Sequence, residues 1–272
     1  MLLLGLTGSI ATGKSTLSTL LSSPPYNLPI IDADILARRV VEPGSAGYQA
    51  IVSHFSSTTP DLLLTTYTSQ FPDTGNGYWL NRPALGKRVF GDSDERKQDR
   101  AVLNGIVHPA VRKAMVWDIL RYYIRGYRAV VLDIPLLFES GLDELCGVVM
   151  VIACSPQTQM KRLSPRDAHL SQEDAENRVR SQGNVADKAR RCEARGEARG
   201  VVIWNDGGRE ELQAEVQKVF ESTLMKGSPE WWSWMLLLFP PLAVGSAMYN
   251  WMWNKRVNEE WRSSELRAKA KL

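Results

Sequence analysis

The chain has few of the residues that build metal and disulfide frameworks. Its 272 residues include three cysteines, Cys146, Cys154 and Cys192, and three histidines, His54, His108 and His169. Three scattered cysteines exclude a disulfide framework and give no zinc spacing. They read as small buried hydrophobes in a reducing compartment. His54 and His169 have no motif around them. Met1–Leu4 enters an apolar run with no basic stretch before it, so no secretory signal is expected. Charge of one sign is also missing. Residues 1–230 hold 27 basic and 27 acidic side chains. That balance excludes a broad basic face for nucleic acid, but not a local pocket for small phosphates. No internal repeat is present. With 44% hydrophobic and 23% charged residues, the chain can bury a sizeable core, and global disorder, collagen and coiled coil are excluded.

What is present begins with short apolar runs. Leu2 to Thr7 has no alternation, as a strand covered on both faces should look. A glycine-rich turn follows, then a helix from about Lys14 to before Pro24-Pro25. Leu28 to Ile31 reads as a second strand, closing on Asp32 and Asp34. Strand, loop, helix and strand within 34 residues predict an α/β fold. Ala129 to Ile134, Val148 to Ala153 and Val201 to Trp204 read as further strands. Residues 82–126 read as helical with Gly126 as the stop, 166–199 as a charged helical segment, and 209–225 as a last helix before the tail. Residues 56–78, rich in Ser, Thr, Pro and Gly, read as an insertion or long loop.

Gly8-Ser9-Ile10-Ala11-Thr12-Gly13-Lys14-Ser15 matches the phosphate-loop pattern at every fixed position. The glycines let the backbone wrap a phosphate, and the following helix points its positive end there. Lys14 can reach the β- and γ-phosphates, and the Ser15 hydroxyl can ligate Mg²⁺. A chance match is expected in on the order of 1% of chains of this length. The strand before and the helix after are the context that confirms it. Guanine-specific proteins carry a lysine in a late motif that Trp204-Asn205-Asp206-Gly207 lacks, so ATP is the expected donor.

Asp32 and Asp34 lie just past the second strand, where ligands bind in an open parallel sheet. They are candidates to hold and deprotonate an acceptor hydroxyl, or a helix-capping pair, and the two readings are compatible. Asp133 ends an apolar strand, and is either a turn residue or a carboxylate that orders Mg²⁺. Arg162, Arg166, Arg178 and Arg180 lie on the charged segment. Most should be solvated, with one or two neutralising the transferring phosphoryl group.

In order and spacing, these pieces resemble the dephospho-CoA kinase family from about residue 1 to 222. They are Gly5-Leu-Thr-Gly8 through Lys14-Ser15-Thr16, Ile31-Asp-Ala-Asp34-Ile-Leu-Ala-Arg38, Leu80-Asn-Arg82-Pro-Ala-Leu, and Arg88-Val-Phe. Further along come Ile106-Val-His108-Pro109, Pro135-Leu-Leu-Phe-Glu139, Ser155-Pro-Gln-Thr-Gln159, Arg166-Asp167, Ser181-Gln182 and Trp204-Asn205-Asp206-Gly207. The resemblance implies transfer of the ATP γ-phosphoryl group to the ribose 3′-hydroxyl of dephospho-CoA, the last step of coenzyme A synthesis. It implies a P-loop core within 1–225, a helical acceptor-binding subdomain at about 40–126 and a helical lid at about 160–190. Asp34 becomes the implied base, Asp32 a supporting acid, and Arg166 the lid arginine. Arg38, Arg82, Arg88, His108 and Glu139 become acceptor-side candidates, and Asn205 lies near the adenine. His108 has a competing reading as a core residue. Another small-molecule P-loop kinase and a catalytically idle membrane scaffold are the alternative functions. Residues 56–78 and 192–200, the latter with two Arg-Gly pairs, look like departures from the family.

After a linker at 226–230, residues 231–253 carry no charge over 23 residues, with Trp231, Trp232 and Trp234 at one end and Trp251 and Trp253 at the other. As one helix this stretch would be roughly 34 Å long, enough to span hydrocarbon. Its aromatic ends fit a membrane belt. Pro240-Pro241 argues for a break, so a spanning helix, a hairpin, and an apolar helix packed on the body or a partner are all open. The charged tail 254–272 follows, and residues 231–272 hold six basic and three acidic side chains, the whole excess of the chain. Anchoring would place a cytosol-facing kinase on an intracellular membrane, the mitochondrial outer membrane or endoplasmic reticulum. The resemblance does not reach this segment.

Overall fold

The computed structural model describes residues 1–166, 185–221 and 230–270. The chain forms two compact units, one from Met1–Ile31 with Arg121–Leu272 and the other Asp32–Leu120.

The first unit is built on a parallel sheet. Its strands are β1 (Leu2–Gly8), β2 (Ile30–Asp32), β3 (Ala129–Asp133), β4 (Val148–Ala153) and β5 (Gly200–Trp204), in the order β2-β3-β1-β4-β5. All six residues of β4 are buried, as expected of a strand covered on both faces. Leu17 and Leu21 of α1 (Lys14–Ser22) pack on this sheet with Leu4, Leu6, Met150, Ile152 and Ile203, and so do Leu212 and Val216 of α8 (Arg209–Val219). The last helix before the tail is described from Arg209 to Val219, and residues 222–225 of the predicted 209–225 lie outside the described residues. Register aligns Leu6 with Asp133, Gly8 with Ile152 and Ala153 with Trp204. From β1 the chain runs out to the edge, returns to β3, then crosses to β4. The carboxyl end of β1 is thus the point where strand order reverses, the place where open sheets bind ligands.

The second unit carries α2 (Ala33–Arg39), α3 (Ala46–Phe55), α4 (Arg82–Val89) and most of α5 (Asp94–Ile124). The helical stretch predicted for 82–126 is two helices. Gly91, at φ +136°, breaks it, and Asn81 caps α4 by accepting from the Ala84 N–H. The core of this unit joins Ile51, Phe55, Leu80, Leu85 and Val89 to Leu103 and Ile106 of α5. The polar loop 56–78 is pinned to that core. Leu62 is fully buried, Leu63 bridges Leu80, and the Tyr48 hydroxyl donates to the Tyr78 carbonyl at 2.7 Å.

The tail departs from the expected membrane segment. It forms α9 (Glu230–Leu238) and α10 (Pro240–Lys269), with Pro240 and Pro241 in the first turn of the second helix. Proline suits that position, because its missing N–H has no partner there anyway. Among the described residues no helix is long and apolar enough to cross a membrane. The single apolar span is cut in two at Phe239, and beyond Asn254 the second helix is charged.

One face of α10 packs on the first unit through polar groups. Asn254 and Asn258 are buried. Asn254 Nδ2 donates to the carbonyls of Glu144 and Cys146 at 2.9 and 2.8 Å, and Asn258 Nδ2 donates to Asp143 Oδ2 at 2.9 Å. Asp143 lies in a 3-10 turn, Leu142–Leu145, with no exposed surface. Arg195 pairs with it at 3.0 Å and Arg191 approaches at 3.8 Å. Burial pushes the Asp143 carboxyl above its ordinary pKa, against the pull of Asn258 and the two guanidiniums. Arg199 donates to Asn250 Oδ1 at 2.9 Å. The segment 192–200 is thus a receptor for the tail. Arg191, in the last turn of α7 (Val185–Glu193), donates to Asn258 Oδ1 at 3.3 Å, and at the same spacing of four residues Arg195 meets Asp143 and Arg199 meets Asn250. Burial also holds Cys146 and Cys192 as thiols, with pKa values raised to about 12.

Arg195→Ala leaves the Asp143 charge buried without its main partner. It should lower unfolding free energy by about 3–5 kcal/mol, read from urea denaturation. Glu260→Ala, which removes the exposed pair with Arg256, should change it by less than about 1 kcal/mol.

Candidate active site

The phosphate loop follows β1, and two of its glycines are required by space. A Cβ on Gly8 would stand 2.8 Å from the Ile152 carbonyl oxygen and 2.9 Å from Thr12 Oγ1. Gly13 has φ +100°, and a Cβ there would meet Asn205 Nδ2 at 2.3 Å. Ala11, at φ 59°, holds a conformation that non-glycine residues rarely adopt. The loop is braced from three sides. Thr12 Oγ1 donates to the Ser9 carbonyl at 2.8 Å, Asn205 Nδ2 to the Thr12 carbonyl at 2.8 Å, and Gln159 Nε2 to the Ile10 carbonyl at 2.7 Å. Thr12, Ser9, Gln159 and Asn205 are all buried. No side chain caps α1. Its first-turn N–H groups, at Lys14, Ser15 and Thr16, together with the helix dipole suit an anion.

Lys14 Nζ pairs with the carboxylate of Asp133, which is buried at the end of β3. That places the expected phosphate lysine and the expected metal carboxylate side by side. Ser15 is exposed at the start of α1. Among the described residues no three His, Cys, Asp or Glu side chains cluster to hold a metal. Ser15 and Asp133 supply two oxygen donors, which fits Mg²⁺, an ion that keeps waters and binds through phosphates plus one or two protein oxygens.

Three residues of this half carry roles that sequence reasoning missed or placed elsewhere. Arg162 spends its fork on the loop after β5, donating to the carbonyls of Asn205 at 2.8 Å and Gly207 at 3.0 Å. Asp206 accepts from the Ser155 N–H at 2.8 Å, and hydrogen bonds from Ser155 hold its carboxyl below the ordinary range. Lys188 is buried and donates to the Pro135 carbonyl and to Glu139, both at 3.2 Å. Thr7 Oγ1 shares that carbonyl at 2.9 Å. Glu139, expected on the acceptor side, is therefore tied to α7. The signal for Gln159 and Lys188 was only their polarity beside apolar positions, which does not distinguish a buried brace from a solvated residue.

The Asp34 half belongs to the second unit. Asp32 is the N-cap of α2, its Oδ1 accepting from the N–H groups of Asp34 at 2.7 Å and Ile35 at 3.1 Å. The capping reading holds for Asp32. Asp34 stands exposed in the first turn, where the helix dipole favours a carboxylate. Arg38, also exposed, lies one turn further on. Burial, and then the charge of Arg38, lower the pKa of Arg82. The two guanidiniums are thus close enough to repel, and an anion between them would relieve that. Arg88 is occupied by Asp99 at 2.6 Å and Glu95 at 3.9 Å. His108 is exposed on α5, so it is not a core residue. Arg166 is the last residue of α6 (Pro156–Arg166); Arg178, Arg180 and His169 lie outside the described residues.

Comparison with known proteins agrees with this layout. The family model described as dephospho-CoA kinase matches residues 2–211. The dephospho-CoA kinase CAB5 of Saccharomyces cerevisiae is 42% identical over 247 residues, 91% of each chain. A Schizosaccharomyces pombe protein described as uncharacterized is 36% identical over 263 residues, 96% of this chain and 99% of its own. Both yeast matches cover more of the chain than residues 1–230 amount to, so likeness reaches into the tail, beyond the limit expected from sequence. Among solved structures, dephospho-CoA kinase from Campylobacter jejuni superposes with a TM-score of 0.54 at 27% identity, covering 80% of this chain and 97% of its own. Phosphate loop, Asp34 helix and family model together show that the chain belongs to the dephospho-CoA kinase family.

Proposed function

We propose that this chain phosphorylates dephospho-CoA through the phosphate loop at Gly8–Ser15 and the carboxylate of Asp34. The family activity is ATP-dependent phosphorylation of dephospho-CoA to coenzyme A, the final step of its synthesis. The observation that carries the assignment of roles is the braced, uncapped loop with Lys14 beside Asp133.

In this reading the loop N–H groups and Lys14 hold the ATP phosphates. Asp34 accepts the proton of the ribose 3′-hydroxyl. The 3′-oxygen bonds to the γ-phosphorus as the bond from that phosphorus to the bridging oxygen breaks, and ADP leaves. Ser15, and Asp133 directly or through water, would hold a Mg²⁺, which would supply charge neutralisation at the phosphates. Arg38 and Arg82 bind acceptor phosphate, which their mutual repulsion supports. Arg166 completes charge neutralisation from the lid, and Asn205 lies near the adenine while bracing the loop. His108 and Glu139 are acceptor-side groups in the same reading; Arg88, already paired, contributes by positioning α4. We also propose that the chain works on the cytosolic face of an intracellular membrane, supported by the exposed apolar tail.

In a coupled ADP-release assay with dephospho-CoA, Lys14→Ala should lower kcat by about 100-fold or more, while the chain still unfolds cooperatively but at a lower temperature, because buried Asp133 loses this ion pair. Asp34→Asn should lower kcat by about 100-fold or more while the KM for ATP stays within about threefold. Arg38→Ala and Arg82→Ala should each raise the KM for dephospho-CoA by on the order of tenfold, the loss of one charged hydrogen bond, and leave the KM for ATP unchanged.

A further inference from the structure

The tail helices are turned the wrong way for water. On α9, Trp231, Trp234 and Leu238 are 58%, 60% and 77% exposed, and Phe239, which follows it, is 62% exposed. Their spacing puts them on one stripe. The opposite side is seated on the first unit, where Leu236 is buried and its carbonyl accepts from the Tyr123 hydroxyl. On α10, Val244, Met248 and Met252 face outward at every fourth residue, more than half exposed, while Asn250, Asn254 and Asn258 face inward at the same interval. An amphipathic helix on a soluble protein has the reverse arrangement.

We propose that residues 231–253 form a lipid-binding face that lies in the plane of an anionic membrane while α10 stays fixed to the kinase body. The inference rests on the membrane reading above and specifies its geometry. Charge selects lipid as the occupant. The outward surface is uncharged up to Trp253; beyond it Lys255, Arg256 and Arg262 are exposed alongside Glu259 and Glu260, with Arg256 paired to Glu260 at 3.1 Å, so the charge there is mixed with a net positive excess. The whole excess positive charge of the chain lies in 231–272, which complements anionic headgroups. Tryptophans in the apolar stretch suit the interfacial layer. Length excludes spanning. The nine residues of α9 reach about 13 Å and the apolar part of α10 about 21 Å, against roughly 30 Å of hydrocarbon. The asparagine contacts exclude it too. Drawing α10 into lipid would strip Asp143 and the carbonyls of Glu144 and Cys146 of their donors.

The test is flotation of the full-length chain with sealed vesicles of phosphatidylcholine, with and without phosphatidylserine. The chain should float with the phosphatidylserine vesicles, be extracted by alkaline carbonate, and keep residues 255–272 open to protease added outside. Leu238→Glu with Phe239→Glu should reduce the floated fraction by on the order of tenfold and leave dephospho-CoA turnover in solution unchanged. Carbonate resistance with a protected C-terminus would overturn the in-plane geometry while keeping membrane attachment. Absence of flotation with either vesicle would overturn both. Flotation undiminished in the double variant would overturn this face as the contact, as would a dimer formed through these residues that excludes vesicles.

Discussion

One hydrogen bond joins chain positions 193 residues apart, and the nucleotide side of the site depends on it: Asn205 Nδ2 to the Thr12 carbonyl, at 2.8 Å. It requires that β5 lie beside β4 with Trp204 opposite Ala153, and that residue 13 have no side chain, because the Asn205 amide occupies the space a Cβ would take. Arg162 in turn holds the backbone on both sides of Asp206. A loop able to wrap phosphate has few bonds of its own, so side chains from distant elements must supply its rigidity. Here they come from the loop after β5, through Asn205, and from α6, through Gln159.

The charged groups follow the same economy. Lys14 and Asp133 neutralise each other where β1 and β3 end, so neither is buried alone. In the proposed reading, nucleotide phosphates would draw Lys14 away and leave the Asp133 carboxylate available to a metal. On the second unit the relation is inverted. There burial and then the charge of Arg38 lower the pKa of Arg82, against Glu42, and in the proposed reading an acceptor anion would offset that repulsion.

Much of this was legible in sequence because the signals were local. Uninterrupted apolar runs marked β3 and β4. The spacing from Gly8 to Ser15 marked the loop, and Asp32 and Asp34 marked the start of α2. What sequence did not show depended on partners far along the chain. Nothing near Gln159, Arg162 or Lys188 tells which carbonyl each will reach. The helical stretch expected over 82–126 divides at Gly91, whose positive φ turns the chain between two helices that share one core. The uncharged stretch 231–253 has the length and aromatic ends of a spanning helix. It does not form one because Pro240-Pro241 restarts the helix, and because Asn250 and Asn254 read as neutral residues although they are docking groups. The Arg-Gly insertion at 192–200 and the tail looked like separate departures from the family, and they are two sides of one contact.

The central claim is that phosphoryl transfer from ATP goes to the ribose 3′-hydroxyl of dephospho-CoA. Incubation of the purified chain with ATP, Mg²⁺ and dephospho-CoA, followed by phosphorus NMR of the product, tests it most directly. The account predicts a new monoester resonance of a ribose 3′-phosphate, appearing in step with ADP and absent when nucleosides or nucleotides replace the acceptor. ADP release without that ester, or equal turnover with a nucleoside, would contradict it.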